Sequence, residues 1–274
     1  MQEKYLEALK KFRLIDDAFF SACFDDNAKD VEYILRIILE KDDLKVLKVQ
    51  TQKSVENIYG RSVRFDVFAT DTKGKLYNIE VQRADSGAIP ERARYNSVML
   101  DYHELNKQED FRKLPESFVI FITENDVIGD SEKIYHIDRI VRETGKDFGD
   151  GTHIIYVNGS FKGEKGKPLD DLIHDFFCEN PQEMRHKQLA KRVSFLKENK
   201  GEVDSMSSII AEIFKDEIAE ATQKAKAEGK TEGKEKNLIE NIRSLMETLN
   251  FTAKQAMDAL KIPANEQSKY LELI

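Results

Sequence analysis

The run SFVIFIT at Ser117–Thr123 limits the fold of this chain more than any other feature of its sequence. It is too short to span a membrane and lacks polar alternation, so it is typical of a strand covered on both faces. Such a strand needs helices packed above and below its sheet. We therefore expect an α/β or α+β domain in which a mixed central sheet lies between helices.

Three segments before this run predict neighbouring strands, because apolar and polar residues alternate along them. They are Leu44–Val55, Val63–Thr70 and Lys75–Arg83. Thr72–Gly74 predicts a hairpin turn between the last two, since glycine readily takes the positive φ of such a loop. If Asp71 then pairs with Lys75, the register also sets Asp66 opposite Glu80.

Alternation also predicts which side chains share a face of the sheet. Phe65 and Val67 are expected on one face of their strand. Asn78, Glu80 and Gln82 are expected together on one face of the next strand.

Helical spacing appears on both sides of these strands. Residues 2–40 are predicted to be helical, and Lys29–Glu40 carries an apolar stripe at i, i+3, i+4 and i+7. Pro90 favours a helix start, and Glu91–Leu105 continues with helical spacing. Later segments predict two more strands and then a mostly helical chain: Lys133–Thr144, His153–Asn158 and the residues from Pro168 onward.

The composition changes near residue 222. Gln223–Lys236 is charged and almost free of apolar side chains, which indicates a solvated helix or a flexible linker. Three short amphipathic helices are predicted after it: Leu238–Leu249, Thr252–Leu260 (with Thr252 as N-cap) and Ala264–Ile274. We expect a core over residues 1–204, a helical charged linker over 205–236 and a small three-helix unit over 237–274.

Charge and cysteine content exclude several classes of protein. Lys and Arg total 43 against 51 Asp and Glu, a net charge of −8, which argues against a general nucleic-acid coat protein but permits a local basic cleft. Cys23 and Cys178 form no CxxC or Cys/His pattern, which argues against a disulfide scaffold or zinc finger. The isolated cysteines and the lack of a signal-peptide pattern predict a cytoplasmic protein.

Several other motifs are missing from the sequence. No apolar stretch is long enough for a membrane span, and no GxxxxGK[ST] or GxGxxG pattern suggests a nucleotide cofactor. The histidines show no ligand-type spacing such as HExxH and are interpreted as ordinary core or surface residues: His103, His136, His153, His174 and His186.

The expected position of Asp66 opposite Glu80 suggests a site for a divalent cation. Two half-buried carboxylates repel each other unless a cation lies between them, and oxygen ligands suit Mg²⁺ or Mn²⁺. Gln82 would reach the same pocket and could orient a water molecule. The alternative is a solvated hairpin face whose acids pair with Arg64 or Lys75.

The helix after these strands offers groups that can bind phosphate. Arg92, Arg94 and Tyr95 lie at its start, and residues 61–100 hold seven Lys and Arg against five Asp and Glu, a net +2 in an acidic chain. The alternative for Arg92 or Arg94 is a structural role beside Glu80.

The segment from Arg61 to Tyr95 resembles the PD-(D/E)XK nuclease superfamily, specifically its Rpn branch of recombination-promoting nucleases and PD-(D/E)XK-family transposases. Asp66 matches the first acid, and Glu80-Val81-Gln82 matches the E-X-K element, with glutamine in the lysine position as is usual in this branch. Arg92-Ala93-Arg94-Tyr95 is similar to the pattern that follows. The resemblance covers most of residues 14–235.

This resemblance implies a restriction-endonuclease-like mixed sheet flanked by helices, and Mg²⁺- or Mn²⁺-dependent hydrolysis of DNA. The helical C-terminal extension is expected from the helical spacing of the last residues. Asp66, Glu80 and Gln82 would be catalytic. The superfamily often places an acid on the first core helix, so Glu32 is expected as a third metal ligand, with Asp17 as its competitor and a solvated carboxylate as the alternative. Recombination, mobile-element spread and phage defence are the implied settings.

A second interpretation follows from the neutral Gln82 and from the net negative charge of the whole chain. Lysine normally supports the attacking water, so a chain with glutamine there could be a catalytically weak or inactive DNA-binding or protein-interaction module.

The last part of the chain suggests a homodimer through C-terminal helices. An apolar stripe along Ser207–Ala225 predicts either a dimer helix or packing on the core. The unit at 237–274 has a net charge of −1, with four basic and five acidic residues, which disfavours DNA reading and favours self-association or regulation.

Overall fold

The structure is a computed structural model that describes residues 9–57, 60–102 and 104–198, together with parts of 239–271. It forms two compact units, Met1–Ile210 and Ala211–Ile274. The predicted helix Ser207–Ala225 and the predicted linker Gln223–Lys236 lie outside the described residues. The three-part division of the chain therefore stays a prediction. None of the described helices is long and apolar enough to cross a membrane.

A six-stranded mixed sheet forms the centre of the first unit, in the order β1-β2-β3-β4-β8-β5. Strands β1 to β3 are antiparallel neighbours, β3, β4 and β8 run parallel, and β5 is antiparallel to β8. Strands β6 and β7 form a separate small hairpin. The strands are β1 Val46–Val55, β2 Val63–Asp71, β3 Leu76–Gln82, β4 Ser117–Thr123, β5 Ile134–Ile137, β6 Ile140–Val141, β7 Lys146–Asp147 and β8 Thr152–Asn158.

Helices cover both faces of this sheet, and the predicted mixed sheet between helices is confirmed. The described α-helices are α1 Asp17–Phe24, α2 Ala28–Leu39, α3 Pro90–Asp101, α4 Pro168–Phe176 and α5 Lys187–Glu198, with α6 Ala253–Ala259 in the second unit. Alternate residues of β4 enter two different hydrophobic clusters. The larger cluster includes residues of α1, α2, α4 and α5, and the smaller one includes residues of α3.

Turn residues explain where the helices and strands differ from their predicted bounds. The predicted helical region 2–40 is broken between α1 and α2, where Asp26 has a φ of 47° and Asn27 caps α2 through a hydrogen bond from Asp30 N–H. Helix α3 begins at Pro90 as predicted but ends at Asp101. The predicted strand Lys133–Thr144 is divided between β5 and β6, which belong to different sheets.

The hairpin between β2 and β3 has the predicted turn and register. Gly74 takes a φ of 80°, and Val67 pairs with Ile79 as the register requires. The predicted common face of Phe65 and Val67 is wrong, because Phe65 enters the smaller cluster and Val67 the larger one. This change of face lies opposite Gln52 of β1, which has a left-handed φ of 49° between the residues that pair with Val67 and Phe65.

Candidate active site

Asp66 and Glu80 link β2 to β3 beyond the last paired residues of the hairpin. The backbone N–H of Val81 donates to Asp66 Oδ2 at 3.1 Å, and the backbone N–H of Asp66 donates to Glu80 Oε1 at 3.4 Å. Each carboxylate thus accepts a hydrogen bond from the backbone of the other strand. The predicted juxtaposition of these two acids is present in the structure.

Both carboxyl groups are buried, and burial makes them weaker acids than usual. Asp66 is 5% exposed and Glu80 is 0% exposed. Burial, followed by the charge of Glu80, raises the pKa of Asp66 well above its ordinary value. Burial also raises the pKa of Glu80, although the hydrogen bond from Asn78 and the charge of Arg92 act in the opposite direction. The positive charge of Arg92 therefore does not fully offset the cost of burying these two carboxylates.

Arg92 is the cation that contacts the pair. Its Nη2 donates to Glu80 Oε2 at 3.0 Å, and its Nη1 donates to the carbonyl oxygen of Gly87 at 3.0 Å. The side chain is 38% exposed, so it extends from the surface of α3 to a buried carboxylate. This contact is the structural alternative to phosphate binding that the sequence left open for Arg92.

Asn78 completes the surroundings of Glu80 and was not proposed as a site residue. Its Nδ2 donates to Glu80 Oε1 at 2.8 Å, and its Oδ1 accepts from Asn96 Nδ2 at 3.2 Å. Both asparagines are buried. The sequence signal was present, since Asn78 lies two residues before Glu80 and therefore shares its strand face.

Gln82 lies at the end of β3 next to Gly87. A Cβ atom on Gly87 would lie 2.0 Å from Gln82 Oε1, so the space of the missing side chain is taken by the glutamine amide. That amide makes no hydrogen bond to another described residue. It is therefore available to a water molecule or a substrate. Gly87 was not identified from sequence, because nothing in its local pattern indicates a tertiary approach of this kind.

Asp17, and not Glu32, is the helix acid that acts on this pair. The charge of Asp17 contributes to the raised pKa values of both Asp66 and Glu80. Gln52 Nε2 donates to Asp17 Oδ1 at 3.2 Å. Within the described chain, however, Asp17 does not complete a group of three ligand atoms that all lie within 4.8 Å of one another.

The structure does not bring Glu32 to the pair, contrary to the sequence prediction. Glu32 Oε1 lies 2.7 Å from Arg36 Nη2, one helical turn away, and Glu32 Oε2 accepts from the backbone N–H of Val46 at 3.0 Å. Its carboxylate thus fastens α2 to the start of β1. The correction has a simple cause, since both oxygens of Glu32 have local partners.

The remaining predicted phosphate ligands take different positions on α3. Arg94 is exposed to solvent. The hydroxyl of Tyr95 donates to the carbonyl oxygen of Arg61 at 2.6 Å and accepts from Asn57 Nδ2 at 3.3 Å. Tyr95 therefore holds the connection between β1 and β2 against α3, while Arg94 is placed where a solvent-borne anion could reach it.

The donor atoms of the pair fit a hard divalent cation. Oδ1 of Asp66 accepts no hydrogen bond from the described residues, and Glu80 Oε2 accepts one from Arg92 alone. Carboxylate oxygens are the ligands that Mg²⁺ and Mn²⁺ prefer. A cation here would relieve the burial cost that raises both pKa values.

Comparison with known proteins agrees with this geometry. A family model described as "PD-(D/E)XK nuclease family transposase" matches residues 31–242. The match includes Asp66, Glu80, Gln82 and Arg92 and begins after Asp17. Searches of curated proteins and of solved structures gave no significant match.

Proposed function

This chain belongs to the PD-(D/E)XK nuclease family of transposases, and on that premise we propose that it is a Mg²⁺- or Mn²⁺-dependent DNA endonuclease. Membership supports a nuclease-type function, a restriction-endonuclease-like fold and DNA as the substrate. The observation that carries the proposal is the buried Asp66–Glu80 pair joined across β2 and β3.

Each protein group has a distinct part in the proposed hydrolysis. Asp66 Oδ1 and Glu80 Oε2 would hold a divalent cation, which supplies a water of lowered pKa and neutralises a phosphoryl oxygen. The Gln82 carboxamide would accept a hydrogen bond from the attacking water through Oε1 and so orient it towards phosphorus. Because this amide does not titrate, its role is orientation without proton transfer.

The basic residues of α3 would then divide two tasks. Arg92 sets the orientation of Glu80 through the contact at 3.0 Å. Arg94, which is exposed, would contact a DNA phosphate. Tyr95 would have a structural role, because its hydroxyl donates to the carbonyl oxygen of Arg61 and so fixes the connection between β1 and β2. Glu32 is not among the metal ligands of this proposal, because both of its oxygens are engaged elsewhere.

Cleavage of plasmid DNA tests the proposal. Purified chain is incubated with supercoiled plasmid and Mg²⁺ or Mn²⁺, beside the isosteric variants Asp66→Asn and Glu80→Gln. Glu91→Gln, an exposed carboxylate at the start of α3, is the matched control. We expect nicking by the wild type and the control and a loss of at least about a hundredfold in the two site variants. Equal nicking by all four proteins would show that the activity belongs to a contaminant.

A second function, that of a DNA-binding or protein-interaction module without catalysis, is favoured by two observations. Glu80 already has a positive partner in Arg92, and Gln82 provides no charge where lysine is usual in the superfamily. Calorimetric titration with Mn²⁺ separates the two functions. Mn²⁺ uptake that is lost in Asp66→Asn supports the enzyme, whereas no uptake by the wild type supports the module.

The setting that we propose is the cytoplasm, where chromosomal and mobile DNA are both accessible. Recombination, mobile-element spread and phage defence each require cleavage of such DNA. The two cysteines are free thiols, in keeping with a reducing compartment.

A further inference from the structure

Gln52 connects the edge strand β1 to the start of α1 beside the candidate active site. Its Nε2 donates to Asp17 Oδ1 at 3.2 Å and to Ser21 Oγ at 2.5 Å. A carboxamide nitrogen carries two hydrogens, so both hydrogen bonds can form at once. Ser21 is buried, and this anchor fixes the amide from which Asp17 accepts.

The backbone of Gln52 takes a conformation that few non-glycine residues adopt. Its φ of 49° lies in the left-handed region, within a strand of ten residues. Gln52 lies between the residues that pair with Val67 and Phe65, and so beside Asp66 of β2. A conformation of this kind is costly and persists where the surrounding structure holds it. The strained residue of β1 is therefore the one that joins α1 to the strand position next to Asp66.

A second contact holds the start of α1 against the same end of the sheet. Arg83, directly after β3, donates from Nη1 to Asp16 Oδ1 at 3.1 Å. Helix α1 begins at Asp17 and packs against β1, β2 and β3. Asp17 is thus held near the carboxylate pair, in agreement with the contribution of its charge to the raised pKa of both carboxyl groups.

We propose that Gln52 is a positioning residue, which holds Asp17 where its negative charge strengthens the binding of a divalent cation by the carboxylate pair. This inference rests on the proposed metal-dependent function. Within the described chain, Asp17 and the pair do not form a group of three ligand atoms that all lie within 4.8 Å of one another, so Asp17 acts through its charge. The contribution of Gln52 is to fix the orientation of this exposed side chain. Because the amide is neutral, it orients Asp17 without cancelling the negative charge.

Glycine at position 52 separates the role of the amide from that of the backbone, because glycine adopts a left-handed φ without strain. Gln52→Gly therefore keeps the conformation of β1 and removes the side chain alone. Gln52→Met is the second variant, since methionine has a similar length and no hydrogen-bond donor. Gln50→Gly is the matched control, because Gln50 lies two residues earlier in β1 and pairs with Phe68, away from α1.

The readout is Mn²⁺ binding to the metal-free, full-length chain, measured by calorimetric titration. We expect Gln52→Gly and Gln52→Met to weaken Mn²⁺ affinity about tenfold, which is typical of a residue that orients a group around a metal site. Gln50→Gly should bind Mn²⁺ as the wild type does. An equal loss of affinity in Gln50→Gly would overturn the inference, because it would show that any glycine in β1 disturbs the site.

A double-mutant cycle shows whether Gln52 acts through Asp17. Asp17→Asn should itself weaken Mn²⁺ affinity about tenfold, and Gln52→Gly should cause no further loss in that background. A merely structural role of Gln52 would give the same loss with or without Asp17. Unchanged affinity in Gln52→Gly, or losses that add in the double variant, would overturn this inference and leave the proposed function standing. A wild type without Mn²⁺ uptake would overturn the proposed function, and this inference with it.

Discussion

Oε2 of the buried Glu80 accepts a hydrogen bond from Nη2 of the half-exposed Arg92 at 3.0 Å. The guanidinium lowers the pKa of this carboxyl, which burial raises above its ordinary value of 4.5. Arg92 thus offsets part of the cost of keeping a carboxylate inside the protein, and any change in Arg92 acts first on Glu80.

Replacing Arg92 with alanine should destabilise the protein in a pH-dependent manner. The pKa of Glu80 would rise further, and an acid whose pKa is raised by folding loses stability as the pH rises through its folded-state pKa. The loss should therefore be small near about pH 4 and reach about 1–2 kcal/mol at neutral pH, a value already reduced for the exposure of Arg92. Thermal unfolding at several pH values measures this loss.

Arg94→Ala is the matched control on the same helix. Since Arg94 is exposed, its removal should leave the Tm unchanged at every pH and should weaken DNA binding in a salt-dependent manner. Equal Tm losses in the two variants would contradict the division of tasks that we propose for α3.

Asp66→Asn should raise the stability of the metal-free protein at neutral pH. The pKa of Asp66 is well above its ordinary value of 3.8 because of burial and of Glu80, so its contribution to stability is present below that value and is lost as the pH rises. An asparagine can still accept from Val81 N–H and carries no charge. We expect a higher Tm than the wild type near pH 8 and no further rise on addition of Mn²⁺.

The same Tm measurements on Asp130→Asn, a change at an exposed loop residue, provide the reference. If Asp66→Asn lowers the Tm of the metal-free protein at neutral pH, the buried Asp66 carboxylate does not destabilise the fold as we infer.

Gly87→Ala should separate activity from stability. The new Cβ would meet Oε1 of Gln82 at 2.0 Å, and this atom is the end of a flexible side chain that can move at little cost. We therefore expect the free energy of unfolding to change by less than about 1 kcal/mol. We also expect kcat to fall about tenfold or more. Ala84→Gly, three residues earlier in the same connection, tests whether backbone flexibility alone has this effect.

An unchanged kcat in Gly87→Ala would argue against an orienting role for Gln82. A strong fall in Tm would show that the amide cannot move away, and the comparison would then use Gln82→Ala.

Local periodicity was sufficient to predict the sheet, the β2–β3 hairpin and the facing of Asp66 and Glu80. These features depend on the alternation of apolar and polar residues and on one glycine turn, and both can be recognised from residues that are close in the sequence. The register follows directly, as the Val67–Ile79 pair confirms. The break in the helix at Asp26 and the left-handed φ of Gln52 within β1 could not be predicted in this way, since non-glycine residues rarely take a positive φ.

Contacts between distant segments explain what sequence reasoning missed in the site. Glu32 and Asp17 are both helix acids, and only packing determines which of them faces the sheet and which fastens α2 to Val46. The approach of Gly87 to Gln82 also depends on how a 3₁₀ turn folds back over β3. Spacing along a chain contains no information about either contact.

Lys197→Met should destabilise the first unit without affecting the site. Nζ of Lys197 donates to the carbonyl oxygens of Lys10 and Phe12 at 2.9 and 2.6 Å and also to that of Glu179. Loss of this buried donor should cost about 2–3 kcal/mol, which lowers the Tm of a unit of this size by roughly 5–10 °C. Lys191→Met, an exposed position on the same helix, should leave the Tm unchanged.

Deletion of residues 237–274 tests the prediction that this unit mediates self-association or regulation and does not read DNA. Its described part contains a small buried cluster, and α6 begins with a reciprocal cap in which Thr252 Oγ1 accepts from Gln255 N–H while Gln255 Oε1 accepts from Thr252 N–H. The predicted N-cap is therefore confirmed. The cluster consists of Ile242, Ala256, Met257, Ile262 and Tyr270.

The sequence of this unit carries more apolar side chains than 38 residues can easily bury alone, among them Leu238, Ile242 and Leu249. We therefore predict that it buries apolar surface against the nuclease domain or a second copy. Its net charge of −1 opposes phosphate contacts, which dominate affinity for DNA. The truncated chain should have a lower oligomeric mass, or higher nuclease activity if the unit covers the site, with DNA affinity retained. Light scattering coupled to size-exclusion chromatography and a DNA-binding titration measure these quantities. An unchanged mass together with a sharp loss of DNA binding would instead establish the unit as a DNA reader.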